Sequence, residues 1–201
     1  MTLLSLILSW FPTLVLLLVG SSLFYLCYAP GLLSLGLLFF SLYGFPLLIY
    51  QLHNFFFPVK EGMSYLLGKE YSPWWGSHQI QAIYIAFPAL ETALRLIPGV
   101  FSLWLRLWGS KIGQSVYWTP DISISDRNLL EIGDRVVMGY RVGIYTHVIK
   151  PRRNNLMLYV KKVKIGSHAF VGAGSRLAPG SVVQEGAYLP ILTDIYPNQQ
   201  I

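Results

Sequence analysis

His147 stands in the run GIYTHVI (Gly143 to Ile149), and an acid-free, strongly basic stretch follows it. An imidazole titrates near neutrality, so it can take a proton and return it. Tyr145 and Thr146 precede it, placed to orient the ring or a substrate. Lys150, Arg152, Arg153, Lys161, Lys162 and Lys164 then bring six positive charges with no carboxylate among them. Such a cluster suits phosphate recognition, or anionic lipid headgroups at about 1 kcal/mol per basic residue. Both readings stand. Downstream, VGAGSRLAPG contains Gly174 and Arg176. Its small residues let a slender ligand approach the backbone, or they turn corners. No acidic partner for His147 is evident, and Asp126, Asn128 and Asp134 read as structural polar groups.

The elements that must position these residues repeat every six positions. Ile165, Val171, Leu177, Val183 and Leu189 form one unbroken series, and Ile112, Trp118, Ile124 and Ile132, Met138, Ile144 form two shorter ones. Glycine follows many of these directly, and a small or β-branched residue comes four positions after each. A six-residue period matches neither a helix nor a two-sided strand, but it matches a short strand plus a corner. Stacked coils of three such units bury the aliphatic positions in one continuous core. Eleven units are predicted, beginning at 112, 118, 124, 132, 138, 144, 159, 165, 171, 177 and 183. That is about four coils. Two residues are inserted near Arg127 to Leu130, and an excursion runs near 150–158. His147 and His168 both fall at the outward-facing fourth position of a hexad.

The first part of the chain is of another kind. Of 201 residues, 54% are hydrophobic and only 12% charged, about half the charged share of ordinary soluble domains. All fifteen Lys and Arg and all nine Asp and Glu lie at or beyond Lys60. Residues 1–59 are expected to form a two-helix transmembrane hairpin, turning at Pro30-Gly31, because each apolar run is long enough to span. A signal peptide fits less well, with no basic leader and a second apolar run following at once. Lys60 and Lys69 follow the second run, which puts the N-terminus and the C-terminal domain on the cytoplasmic side. Residues 60–110 mix Trp, Phe and Leu with isolated arginines. They are expected as amphipathic helices in the membrane interface, with Trp74 and Trp75 as anchors, or packed on the following domain, or both. Residues 111–201 are the repeat domain.

A hexapeptide repeat broken by one excursion, with a histidine at its start, resembles the hexapeptide-repeat acyltransferases. The run LWLRLWGSKIG, then IGD, then a TH pair before a basic loop, then VKIG resembles the membrane-anchored type at the end of some non-ribosomal peptide synthetases. The resemblance implies a left-handed parallel β-helix, an exception to the usual right-handed crossover, and a homotrimer. It implies acyl transfer from an acyl-CoA or acyl-carrier-protein thioester to a hydroxyl or amine, with His147 as general base. Lys150, Arg152, Arg153, Lys162, Gly174 and Arg176 are then the expected donor-binding residues, and Tyr145 and Thr146 the expected substrate contacts. No metal is expected. An amphipathic or lipidic acceptor, membrane lipid and a carrier protein or membrane complex are the expected partners.

Two other readings use the same fold, since fold does not fix function. One is a non-catalytic trimeric scaffold. The other is a metal site like that of the gamma-class carbonic anhydrases, for which the repeat offers only His147 and His168 where three protein ligands are needed. Disulfide scaffolding is excluded by the single cysteine, Cys27. A nucleic-acid role is not expected, because no recognition module accompanies the net charge of +6.

Overall fold

The computed structural model describes residues 2–201. Two compact units result: residues up to Lys60 with Leu66–Ile83, and Glu61–Tyr65 with Tyr84–Ile201. Residues 60–110 therefore divide between the two units.

In the first unit, α1 (Leu3–Ser9) and α2 (Phe11–Tyr28) make one apolar helical stretch, Leu3–Tyr28. Pro12 sits in the first turn of α2, where its missing N–H costs nothing. After the turn at Ala29 to Gly31, α3 (Leu32–Phe39), a π-helical turn (Phe40–Gly44) and α4 (Phe45–Phe56) make the second stretch, Leu32–Phe56. The π turn ends just before Pro46, which has no N–H and sits in the first turn of α4. Both stretches are long and apolar enough to cross a membrane. Phe11 stacks on Phe45 at 5.6 Å between centroids, and the Ser22 and Ser41 hydroxyls meet at 3.0 Å. Trp74 is 3% exposed and stacks on His78, while the Trp75 indole donates to Ser5 O and Ser9 Oγ. The expected headgroup anchor at Trp74 is thus an interior residue, because its ring finds an aromatic partner there.

In the second unit, twelve short strands form three parallel four-stranded sheets. β2 (Lys111–Ile112), β5 (Leu130–Ile132), β10 (Val163–Ile165) and β13 (Val182–Val183) make the first. β3 (Tyr117–Trp118), β6 (Val137–Met138), β11 (Phe170–Val171) and β14 (Tyr188–Leu189) make the second. β4 (Ser123–Ile124), β7 (Gly143–Ile144), β12 (Arg176–Leu177) and β15 (Asp194–Ile195) make the third. The chain visits the three sheets in rotation, which is a parallel β-helix. The six-residue aliphatics stack in register: Ile112, Ile132, Ile165 and Val183 in one column; Ile124, Ile144, Leu177 and Ile195 in another. All eight are at most 7% exposed. Their burial is what the period encodes.

Glycine and the corners separate in a way the pattern did not indicate. Gly133 and Gly166, directly after an inward aliphatic, have ordinary φ; a Cβ on either would lie 2.4–2.5 Å from backbone of the next coil. Close approach is the reason for glycine there. The left-handed corner is the fourth hexad position, and it is mostly not glycine: Ser115, Asp121, Arg135, Arg141, His168, Leu192 and Asn198 all have positive φ. A left-handed non-glycine costs roughly 1–2 kcal/mol. Coil-to-coil hydrogen bonds offset it, as Arg135 N donates to Gln114 O and His168 N to Asp134 O, each at 2.8 Å.

The excursion is longer than expected, and it is ordered. β8 (His147–Arg152) and β9 (Asn155–Val160) form an antiparallel hairpin, and β1 (Gly62–Tyr65) pairs on the outer edge of β9. The hexad expected at 159 is therefore hairpin, and the excursion spans His147 to Val160 rather than 150–158. Tyr159 mimicked a repeat position because strand alternation also places apolar residues at even spacing. A strand at Asp194–Ile195 was missed in its place.

α5 (Pro73–Ala86) leads from one unit into the other, and α6 (Ala89–Arg95) and α7 (Val100–Leu107) belong to the second. α7 turns Phe101, Trp104 and Leu105 inward. Tyr84, Trp104 and Trp108 meet edge to face at 5.2–5.8 Å. Phe101 meets the Trp118 ring edge to face at 5.0 Å and Trp118 Nε1 donates to Ser102 Oγ at 2.9 Å, so α7 packs on the repeat domain.

Candidate functional site

His147 is the first residue of β8, where the chain leaves the coil after β7. Parallel pairing of Ser123 with Gly143 and of Ile124 with Ile144 puts residues twenty apart on neighbouring coils. Asp126 therefore stacks beneath Thr146 and reaches the next residue. Its Oδ2 lies 2.6 Å from His147 Nδ1 and accepts from Thr146 Oγ1 at 2.7 Å. Ser125 Oγ is 3.0 Å from Thr146 Oγ1 and accepts from Thr146 N at 2.9 Å. Asp126 is 1% exposed and Thr146 wholly buried, while the His147 side chain retains 18% exposure. A buried carboxylate on Nδ1 fixes the tautomer and orientation of the ring. Proton exchange with a substrate then falls to Nε2.

Asp126 is the partner of His147 that the sequence reading missed. Its signal was present, because 112, 118 and 124 recur as 132, 138 and 144, and the same offset of twenty carries 126 to 146. Thr146, expected against substrate, instead points inward and holds Asp126. Tyr145 is exposed.

Behind Asp126, the next residue is locked in place. Arg127, 1% exposed, donates from Nε to Glu91 Oε1 at 2.6 Å and from Nη2 to Glu91 Oε2 at 2.9 Å. Trp104 Nε1 donates to the same Oε1 at 3.0 Å. Arg127 O accepts from Ser110 Oγ at 2.6 Å, and Ser110 Oγ in turn accepts from Leu130 N. The two-residue insertion near Arg127 is thus pinned through both side chain and backbone.

The expected donor-binding residues do not converge. Lys150 and Arg152 lie on β8, and Arg153 is at the hairpin tip with φ of 52°. All three are exposed. Lys162 Nζ donates to Glu131 Oε1 at 3.1 Å, and Lys164 and Lys111 also face that carboxylate. Burial alone raises the Glu131 carboxyl, but hydrogen bonds from Lys162 and Lys164, with their charges, outweigh it and leave it below its ordinary value. Arg176 is held by Asp194 on the adjacent strand, Nε to Oδ1 at 2.7 Å. Gly174 is a left-handed corner, with φ of 71°. His168 Nδ1 is 3.6 Å from Glu185 Oε1. It turns the corner after β10, whereas His147 follows β7, so the two histidines occupy different corners. The hairpin is added between faces and replaces none.

No family model matches this chain, and no curated protein matches it. Solved structures do. A hexapeptide-repeat acetyltransferase of Vibrio cholerae, complexed with acetyl coenzyme A, is similar over 66% of this chain and 87% of its own, at 15% identity and a TM-score of 0.43. A maltose O-acetyltransferase of Clostridium difficile 630 is similar over 56% of this chain and 77% of its own, at 18% identity and a TM-score of 0.34.

Proposed function

We propose that this protein is a membrane-anchored acyltransferase that moves an acyl group from a CoA or carrier-protein thioester to a hydroxyl or amine. One observation carries the reading: a buried carboxylate, Asp126, holds Nδ1 of a half-buried histidine at the mouth of a basic hairpin. Nε2 of His147 takes the proton of the acceptor as its oxygen or nitrogen attacks the thioester carbonyl carbon. The tetrahedral intermediate collapses, the C–S bond breaks, and the proton returns from Nε2 to the departing sulfur. Imidazole suits both transfers at neutral pH. Lys150, Arg152 and Arg153 supply cations for the phosphates of the donor.

The two apolar helices serve as the anchor, with the N-terminus and repeat domain on the cytoplasmic side and an acceptor that is itself amphipathic or lipidic. A homotrimer fits the outward row Tyr117, Val137, Phe170 and Tyr188 on the second sheet, where Phe170 and Tyr188 stack at 5.0 Å. Purified full-length protein, given acetyl-CoA and candidate acceptors, is expected to release free thiol. His147→Ala is expected to abolish release with the oligomer unchanged by light scattering. Thiol release retained in that variant would overturn the assignment and favour the scaffold reading.

A further inference from the structure

A cavity of about 560 Å³ opens between the start of α7 and the first coil, apart from the His147 site. Arg95 and Arg106 line it and no acidic residue does; Ile97, Phe101, Val116 and Trp118 form an apolar part of its wall, and Ser102, Gln114 and Ser115 a polar part. Arg106 is engaged, donating to the backbone oxygens of Ile112 and Gly113. Arg95 is only partly satisfied. Its Nη2 donates to Ile122 O at 3.0 Å and its Cζ lies 4.2 Å from the Phe101 ring centroid. Its Nε and Nη1 are shielded from water and have no acceptor.

Leaving buried charged donors unpaired is costly. Burial also pulls the Arg95 guanidinium below its ordinary value, with Glu91 opposing that effect. An oxyanion would relieve both. Next to this cation the chain exposes apolar surface, since Leu96 is 80% and Ile97 58% exposed. A pocket with a desolvated cation and an apolar mouth matches a ligand with the same two halves.

We propose that this cavity binds an amphiphile with an oxyanionic head, phosphate or carboxylate, whose head pairs with Arg95 and whose alkyl chain lies along Phe101, Val116 and Ile97. The head accepts from Arg95 Nη1 or Nε after a small turn of the guanidinium edge toward the cavity. The site is independent of acyl transfer at His147 and stands or falls separately from it.

The test is binding of dodecyl phosphate to the full chain in uncharged maltoside micelles, against inorganic phosphate and dodecanol. Saturable binding of dodecyl phosphate is expected, well above either control. Arg95→Met is expected to weaken it by roughly tenfold or more, the range of lost charge-assisted hydrogen bonds. Because Arg95 also holds Ile122 O, a second variant, Val116→Phe, fills the cavity with the arginine intact and is expected to weaken binding as well. Undiminished binding in both variants would overturn the site. Inorganic phosphate binding as tightly as dodecyl phosphate would overturn the amphiphile, and dodecanol doing so would overturn the oxyanion.

Discussion

Glu91 clamps Arg127 through two hydrogen bonds, and the residue before Arg127 in the chain is the carboxylate that holds His147. A short helix therefore fixes a catalytic candidate at one remove. Removing one partner of a buried ion pair leaves an uncompensated charge, at a cost of about 3–5 kcal/mol. Glu91→Leu should lower stability by that order in denaturant titrations. Glu91→Leu combined with Arg127→Met should recover most of it, since neither charge then remains buried. A double variant as unstable as the single one would contradict the pairing.

Asp126→Asn keeps the shape of the side chain but removes the charge beside Nδ1. Acyl transfer should fall about 10²- to 10⁴-fold in kcat, with KM for the thioester little changed. A shift confined to KM would mean that Asp126 acts on binding rather than on the imidazole.

Two glycines distinguish close approach from backbone conformation. At Gly166 a Cβ would sit 2.4 Å from Glu185 N, whereas at Gly186 nothing lies within 4 Å and only the φ of 69° is unfavourable. Gly186→Ala should cost roughly 1–2 kcal/mol. Gly166→Ala should cost more, because the backbone of the next coil must move. Thermal melts of the two variants should rank in that order.

Glu131 should make stability sensitive to acid. Its carboxyl lies below the ordinary value of 4.5 when folded, so the folded state holds that proton less tightly than the unfolded chain. The contribution is present in full above the unfolded value and is lost as pH falls through the folded one. Glu131→Gln should melt below the parent at about pH 7, with the gap narrowing once the pH falls below the ordinary carboxylate value. An unchanged gap at low pH would show that the three lysines gain nothing from that charge.

The repeat was legible because each inward aliphatic answers to one local rule, burial every six residues. The two apolar helices were legible from length and the absence of charge. Asp126 was harder to see, since its partner is twenty-one positions away and only the stacking of coils joins them. Arg176 looked free for a ligand because Asp194, its neighbour on the next strand, lies outside the counted hexads. Tyr159 imitated the six-residue series by apolar identity alone, and only its antiparallel partners reveal the hairpin. Glu91 and Arg127 are thirty-six residues apart, and no periodicity relates a helix to a corner.

The way the hairpin is closed bears on how the domain can change. Lys161 N donates to Thr146 O at 2.9 Å, and His147 pairs with Val160, so the chain departs and returns at nearly one point. From the standpoint of the coils the excursion is a socket, with β7 and β10 following each other as though nothing lay between. Hairpins of other lengths or charge could occupy that socket without shifting any inward column. Asp126 lies on the coil and His147 at the hairpin's first position, so a hairpin altered only beyond Val148 leaves that pair, like the columns, where it is.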